Sequence, residues 1–303
     1  MLYFILGVLC TSSIFLLFKA FSHFRITTFP AIIVNYLVCV LTGLLFLGED
    51  LHVLRELSWQ TPWLPMALGL GVMFIGTFYL MSVAAQEVSV AASSIATKIS
   101  LLIPVLFSWL LFQPESWAAV NFWNLLGFVC VFVAILLTSN SGQKLPGQGL
   151  PAWQGLLLLS TVFVMSGLID TSLNYLNIYH LHSATLQALL PVLIFSVALG
   201  LGLGVLFWKK MPLRQGHWLG GTVLGVVNYF SVYFLLKSLA AFNNDGAFVY
   251  PNFNIAVIVL SSILAVLLFK ERLRLRNKIG IFVAVLAIFL VSYQQILAYF
   301  IQN

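Results

Sequence analysis

Apolar residues fall into ten long runs, at approximately 2–21, 29–48, 63–85, 89–112, 121–140, 151–172, 183–208, 217–239, 246–269 and 277–300. Roughly 20 helical residues are needed to cross about 30 Å of hydrocarbon, and these runs are of that length. Polar and apolar positions do not alternate within them, as they would in the strands of a barrel. Backbone groups in lipid must pair within their own segment, so the pattern predicts transmembrane α-helices. The first run begins at once, with no basic leader and no small-residue cleavage site. It reads as the first membrane helix and not as a removable signal.

The connections are short. The longest are Glu49–Pro62 and Asn140–Leu150, and the second carries the linker-like stretch Ser-Gly-Gln-Lys-Leu-Pro-Gly-Gln-Gly. Five runs lie on either side of it. Tryptophans mark the ends of runs: Trp63, Trp123, Trp153 and Trp218 near starts, Trp109 and Trp208 near ends, Trp59 and Trp117 in connections. Indole prefers the headgroup level.

The two halves repeat. Leu110–Glu115 reads LLF-Q-P-E and Leu267–Glu271 reads LLF-K-E. Each is followed by a similar run, NLLGFVCVFVAILLTS from Asn124 and NKIGIFVAVLAIFLVS from Asn277. Spans 4–5 thus match spans 9–10, and Cys10-Thr11 matches Ser160-Thr161 more weakly. A unit of five spans is odd-numbered, so two copies in one chain insert with opposite orientation. The expected fold is all-α and integral to the membrane: ten transmembrane helices as two five-helix inverted repeats, residues 1–140 and 151–303, joined by 141–150. In such a plan the substrate site lies near the bilayer midplane, between the repeats.

Composition agrees. Of 303 residues 61% are hydrophobic and 7% charged, against about 25% charged in soluble domains. The net charge of +6 does not point to nucleic acid, because no soluble basic domain exists to present a patch. The basic residues instead cluster on one side. Lys19, Arg25, Lys144, Lys209, Lys210, Arg214, Lys270, Arg272, Arg274, Arg276 and Lys278 flank or occupy the odd-to-even connections, while Arg55 and Lys237 lie on the other side. The positive-inside rule then puts both termini outside the cytoplasm.

Catalytic fingerprints are absent: no G-x-S-x-G, H-E-x-x-H, P-loop or dinucleotide motif. Cys10, Cys39 and Cys130 sit in apolar runs without ligand spacing and read as small buried hydrophobes. His23, His52, His180, His182 and His217 lie near helix ends and read as wetted interfacial side chains. His180 and His182 offer two nitrogens without a third ligand, so no metal is expected.

Lys98 is the sharpest residue. It stands about ten residues into span 4, where an ammonium costs about 3 kcal/mol or more to insert. A group placed there faces a cavity or a partner, and it suits an anionic or carboxylate substrate group or a coupled proton. Ser94 shares its face and Thr97 adjoins it. Span 9 opens with a polar cluster holding Tyr250, Asn252 and Asn254 around Pro251, whose ring frees carbonyls one turn earlier. Aligned on the LLF anchor, this cluster corresponds to Ser93–Thr97. Further lining candidates are Asn228 and Ser231 on span 8, Asn35 on span 2, Thr77 on span 3 and Gln187 on span 7. In span 6, Ser166, Asp170 and Asn174 form a stripe. Asp170 and Lys237 lie at similar depth and suggest a gate pair or a mutually neutralised pair. Glu115 and Glu271 end their helices in matching places, as caps or interface markers.

The ten spans, the five-plus-five repeat, and LLF-x-E followed by Asn, Gly127 or Gly280 and a downstream Ala resemble the drug/metabolite transporter superfamily, EamA type, over most of the chain. The resemblance implies a central cavity between inverted halves and the export or exchange of amino acids, metabolites, nucleotide sugars or drugs. Two features depart from it. Cys10-Thr11-Ser12-Ser13 replaces the Trp-Gly pair of span 1, and the loop charges reverse the usual cytoplasmic termini.

The expected function is therefore secondary transport of a small metabolite, such as an amino acid or related compound, by alternating access and in the direction of efflux. The expected setting is a bacterial plasma or inner membrane, as monomer or homodimer, without cofactor, enzyme activity or nucleic-acid partner. A lipid flippase is the alternative, ahead of a membrane-embedded lipid-modifying enzyme built on Glu49, Asp50 and His52.

Overall fold

In the computed structural model the described residues are 2–48, 50, 58, 60–107, 122–138, 150–242, 246–270 and 273–302. The repeat anchor Leu110–Glu115, the linker 141–149, Trp59, Trp109, Trp117, Glu49, His52, Arg272 and Glu271 lie outside them. The described chain is all-helical, and its boundaries follow the apolar runs. The helices are α1 Leu2–His23, α2 Thr28–Leu47 and α3 Leu64–Glu87. Next comes a broken α4, helical over Val90–Lys98, tightened to a 3₁₀ turn at Ile99–Leu101 and resumed at Leu102–Phe107. They continue with α5 Phe122–Thr138, α6 Ala152–Tyr179, α7 Ala184–Trp208, α8 Gln215–Ala241, α9 Gly246–Phe269 and α10 Leu275–Gln302. Seven of them, α1, α2, α3, α6, α7, α8 and α9, are long and apolar enough to cross a membrane. The described parts of α4 and α5 are shorter apolar helices.

Local chemistry sets the ends. Ser89 and Ser183 cap α4 and α7, their Oγ atoms accepting from Ala92 N–H at 2.9 Å and Leu186 N–H at 3.1 Å. α1 and α7 close with paired backbone bonds. Arg25 N–H reaches Ser22 O while Ile26 N–H reaches Phe21 O; Lys210 N–H reaches Phe207 O while Met211 N–H reaches Leu206 O. This closure needs a left-handed residue, usually glycine. Here Arg25 (φ 54°) and Lys210 (φ 47°) fill it, and Lys270 follows α9 at φ 51°. Basic side chains thus stand where glycine would be less strained.

The chain packs as two compact units that interleave in sequence. The first comprises Met1–Tyr79 and Ser172–Ala241, and the second Leu80–Thr171 and Phe242–Asn303. Each therefore draws on residues from both sides of the 141–150 linker. Helices α3 and α6 contribute to both.

Within the first unit, glycines let helices touch backbone to side chain. A Cβ on Gly71 would stand 2.5 Å from Val197 Cβ and 2.7 Å from Ile194 O. A Cβ on Gly225 would stand 2.7 Å from Val38 Cβ and 2.6 Å from Asn35 O. Likewise Gly43 of α2 meets Val192 of α7, while Gly202 of α7 meets Ile33 of α2. One register relates all four contacts: Ile33, Asn35, Val38 and Gly43 take the places of Val192, Ile194, Val197 and Gly202. The second unit does the same. A Cβ on Gly127 of α5 would meet Val291 Cγ2 at 2.7 Å and Ala287 O at 3.1 Å; one on Gly280 of α10 would meet Thr138 Cγ2 at 2.5 Å and Ala134 O at 3.5 Å. In the sequence match from Asn124 and Asn277, Gly127 aligns with Gly280, Ala134 with Ala287 and Thr138 with Val291. Both pairs, α2 with α7 and α5 with α10, run antiparallel.

The outside is apolar. Leu45, Phe132, Leu157, Leu219, Leu267 and Phe282 are all exposed, far beyond what water tolerates on a stable surface. Trp123, Trp153, Trp208 and Trp218 are exposed at helix ends as expected, whereas Trp63 is buried.

Candidate functional site

The second unit holds the most concentrated polar chemistry, where α4 breaks. Pro104 supplies the cause: it has no N–H for the Ser100 carbonyl four residues back, and its ring crowds that carbonyl. The chain answers with the 3₁₀ turn at Ile99–Leu101, a common mark of a hinge within a longer helix. Asn254 Nδ2 on α9 donates to the Lys98 carbonyl at 3.0 Å, tying the turn to the neighbouring helix.

Lys98 sits at the end of the first piece of α4, half-buried, with Nζ 5.9 Å from the centroid of the buried Phe253 ring. That is the outer limit of a cation–π contact. Asp170 of α6, also half-buried, is the acidic group close enough to Lys98 to interact electrostatically. No direct ion pair between them occurs among the described residues. Ser100 lies between two acceptors, with Oγ 2.5 Å from Thr97 O and 3.2 Å from Asp170 Oδ2. Its single proton can be given to only one of them at a time. Tyr250, buried on α9, faces the same carboxylate, and Asn252 of the same helix is half-buried. One turn before Asp170, Ser166 is buried with an unpartnered Oγ. The result is a cation and an anion held apart, with a ring, a phenol and an amide around them.

Some candidates are less available than their position suggests. Ser94 Oγ donates to Ala91 O at 3.0 Å and Thr97 Oγ1 to Ser93 O at 2.8 Å, both back to their own helix. Their lone pairs remain free to accept, but their protons are committed.

The other candidates lie in the first unit. Asn228 Nδ2 donates to Asn35 Oδ1 at 3.2 Å, and Asn35 Nδ2 donates to Ile32 O at 3.3 Å. Cys39 Sγ reaches Gly225 O at 3.2 Å. This is a clasp across the close α2–α8 contact, with both asparagines fully buried. Ser231 Oγ donates to Asn228 O at 2.8 Å, and Gln187 Nε2 to Leu181 O at 3.4 Å. Thr77 Oγ1 is buried without a partner.

Asp170 of the second unit turns to Ser100 and Lys98, and Lys237 of the first unit has its Nζ 5.6 Å from the ring of Tyr233 on its own helix. One expectation changes. His217 is not a wetted interfacial residue. It is buried, its Nδ1 accepts the Arg214 N–H at 2.9 Å, and its Nε2 is hydrogen-bonded to Thr27 Oγ1. Since Nδ1 must accept, Nε2 carries the proton and Thr27 accepts it. Ser100, Phe253 and Pro104 were missed. Pro104 was the available signal, since a proline in the middle of an apolar run predicts freed carbonyls one turn earlier.

No metal-sized group of histidine, cysteine and acidic side chains occurs among the described residues.

No known family description matches the chain. An uncharacterised protein of Haemophilus influenzae strain Rd KW20 is 28% identical over 294 residues, covering 95% of this chain and 97% of its own. A solved crystal structure, described only as that of a protein, superposes with a TM-score of 0.56 at 15% identity, over 97% of this chain and 96% of its own. That likeness is one of fold alone.

Proposed function

We propose that this chain is a ten-span membrane transporter of EamA-like, five-plus-five inverted plan, carrying a small charged or zwitterionic metabolite by alternating access. The observation that carries the reading is the Lys98–Asp170 arrangement. Two opposite charges stand within the apolar helices, partly accessible, and without closing into an ion pair. Burying charges is costly unless they are paired. Charges left apart in such a place are suited to a ligand that completes them: a carboxylate or phosphate toward Lys98, an ammonium or hydroxyl toward Asp170, an apolar portion toward Phe253. The broken α4 supports the same reading, because irregular backbone at membrane depth is tolerated where it lines a cavity.

The reciprocal glycine contacts support the inverted plan. Each pair exchanges partners under one register shift in antiparallel helices, as a two-fold axis perpendicular to the helices requires. The apolar exterior supports a bilayer setting.

The test is transport by the purified chain in lipid vesicles, with a panel of amino acids, nucleosides and organic anions as substrates. Lys98→Ala and Asp170→Asn are each expected to lower uptake at least tenfold at equal amounts of folded protein. Lys98→Arg is expected to recover part of it. Undiminished transport by Lys98→Ala, for a substrate the wild type moves, removes this site from the reading.

A further inference from the structure

Alongside α9 and the start of α10 lies a groove of about 370 Å³, whose lining includes Val259, Ser262, Ile263, Val266, Leu267 and Lys278. Its walls are almost wholly apolar, and Val259, Ile263, Val266 and Leu267 are themselves exposed. An apolar groove on an apolar exterior needs no explanation beyond acyl chains. Two features do. Lys278 lines the groove and is exposed, without an acidic partner among the described residues. Ser262 is 5% exposed, lines the groove, and its Oγ has no hydrogen-bond partner. By contrast Ser261 Oγ, one residue earlier, donates to Ile258 O at 3.2 Å.

We propose that this groove binds one anionic phospholipid, with an acyl chain along Val259–Leu267 and its phosphate at Lys278. Charge complementarity fixes the headgroup class. Lys270 to Lys278 holds five basic residues, Lys270, Arg272, Arg274, Arg276 and Lys278, against one acidic, Glu271. Such a run at a helix end attracts anionic headgroups, each basic residue strengthening binding by about fivefold near a charged surface. Depth matches lipid anatomy. Ser262 lies seven residues before the end of α9 at Phe269, and Lys278 three residues after the start of α10 at Leu275. At 1.5 Å rise per residue, Ser262 is roughly 6 Å deeper than Lys278. A lipid's ester carbonyls stand inward of its phosphate in the same sense, so the Ser262 hydroxyl, buried and unpartnered at the groove wall, gains an acceptor there when its side chain turns into the groove. A free phosphate ion would use Lys278 and leave the apolar walls and Ser262 unoccupied.

The site is independent of the transport reading and is tested on the full chain in mild detergent. Phosphatidylglycerol carrying a photoactivatable acyl chain is cross-linked to the wild-type protein and the labelled peptide is identified. The expected label falls within residues 259–281. Native mass spectrometry then compares retained phosphatidylglycerol with phosphatidylcholine. The anionic lipid should be retained several-fold more, and Lys278→Gln should lower that preference about fivefold. Val266→Trp, which fills the groove with a residue bilayers accept, should reduce both lipids. Equal retention of the two lipids, a label elsewhere, or displacement of phosphatidylglycerol by inorganic phosphate overturns the proposal.

Discussion

Replacing Gly71 by alanine puts one methyl group into the close contact of α3 with α7. The new Cβ would stand 2.5 Å from Val197 Cβ and 2.7 Å from the Ile194 carbonyl oxygen. Neither is the end of a flexible side chain, so relief must come from moving helices. Reaching an ordinary separation of 3.4 Å takes about 0.9 Å of displacement between α3 and α7. Overpacking of this kind costs about 1–3 kcal/mol, and the position sits at its upper end because the obstruction is backbone and Cβ. The intrinsic helix preference for alanine returns up to about 1 kcal/mol. A net loss of about 1–2 kcal/mol is expected. Gly69 of the same helix has nothing within 4 Å of a built Cβ, so Gly69→Ala should be neutral or stabilising. Gly225→Ala should match Gly71→Ala, with a further loss of about 0.6 kcal/mol from the strained Asn35–Asn228 bond. The assay is thermal or denaturant unfolding in one detergent, with all three variants side by side. If Gly71→Ala proves as harmless as Gly69→Ala, the close α3–α7 contact and the register built on it are wrong.

Other expectations follow from single contacts. Lys210→Gly should raise stability by about 1 kcal/mol, because a left-handed residue at φ 47° loses its Cβ penalty; Lys209→Gly, at φ −85°, should not, and melting temperatures will separate the two. His217→Ala should lower stability by about 1–2 kcal/mol by removing a buried ring and its two hydrogen bonds, to the Arg214 N–H and the Thr27 hydroxyl, read in the same unfolding assay. Asn254→Ala removes the donor to the Lys98 carbonyl and should loosen the 3₁₀ turn; faster amide hydrogen exchange at 99–102 than in the rest of α4 is the readout.

The sequence carried the helices because it carries hydropathy directly. All ten runs begin within two residues of the first described helical residue, the widest differences being at α8, Gln215 against an expected 217, and α10, Leu275 against 277. The exceptions are instructive. Helix α6 continues to Tyr179, well past the expected 172, because Thr171 to Tyr179 is amphipathic and gains its apolar contacts only in the fold. Span 4 read as one uninterrupted helix because hydropathy ignores Pro104, which decides the break. The candidate site was partly legible. Lys98, Tyr250, Asn252 and Asn254 were found by asking which polar groups are misplaced in lipid, and the structure brings them together in one unit. Asn35 and Asn228 answered the same question for another reason, since they satisfy each other across a helix contact. Hydropathy flags a buried amide in either case. Only the rotation of each helix, which depends on partners distant in sequence, tells a ligand contact from a clasp.

The interleaving of the two compact units bears on how the protein is made. Thr27 and His217, partners in the first unit, are separated by 190 residues. When the ribosome has released α1 to α3, the surfaces that α7 and α8 will cover are still bare. The nascent amino-terminal half must therefore wait in the bilayer with Gly43 uncovered and Asn35 Oδ1 without its Asn228 donor, shielded by lipid or by the insertion machinery. Expressed by itself, that half is expected to be a substrate for proteolysis, and co-expression of 151–303 as a separate polypeptide is expected to rescue it.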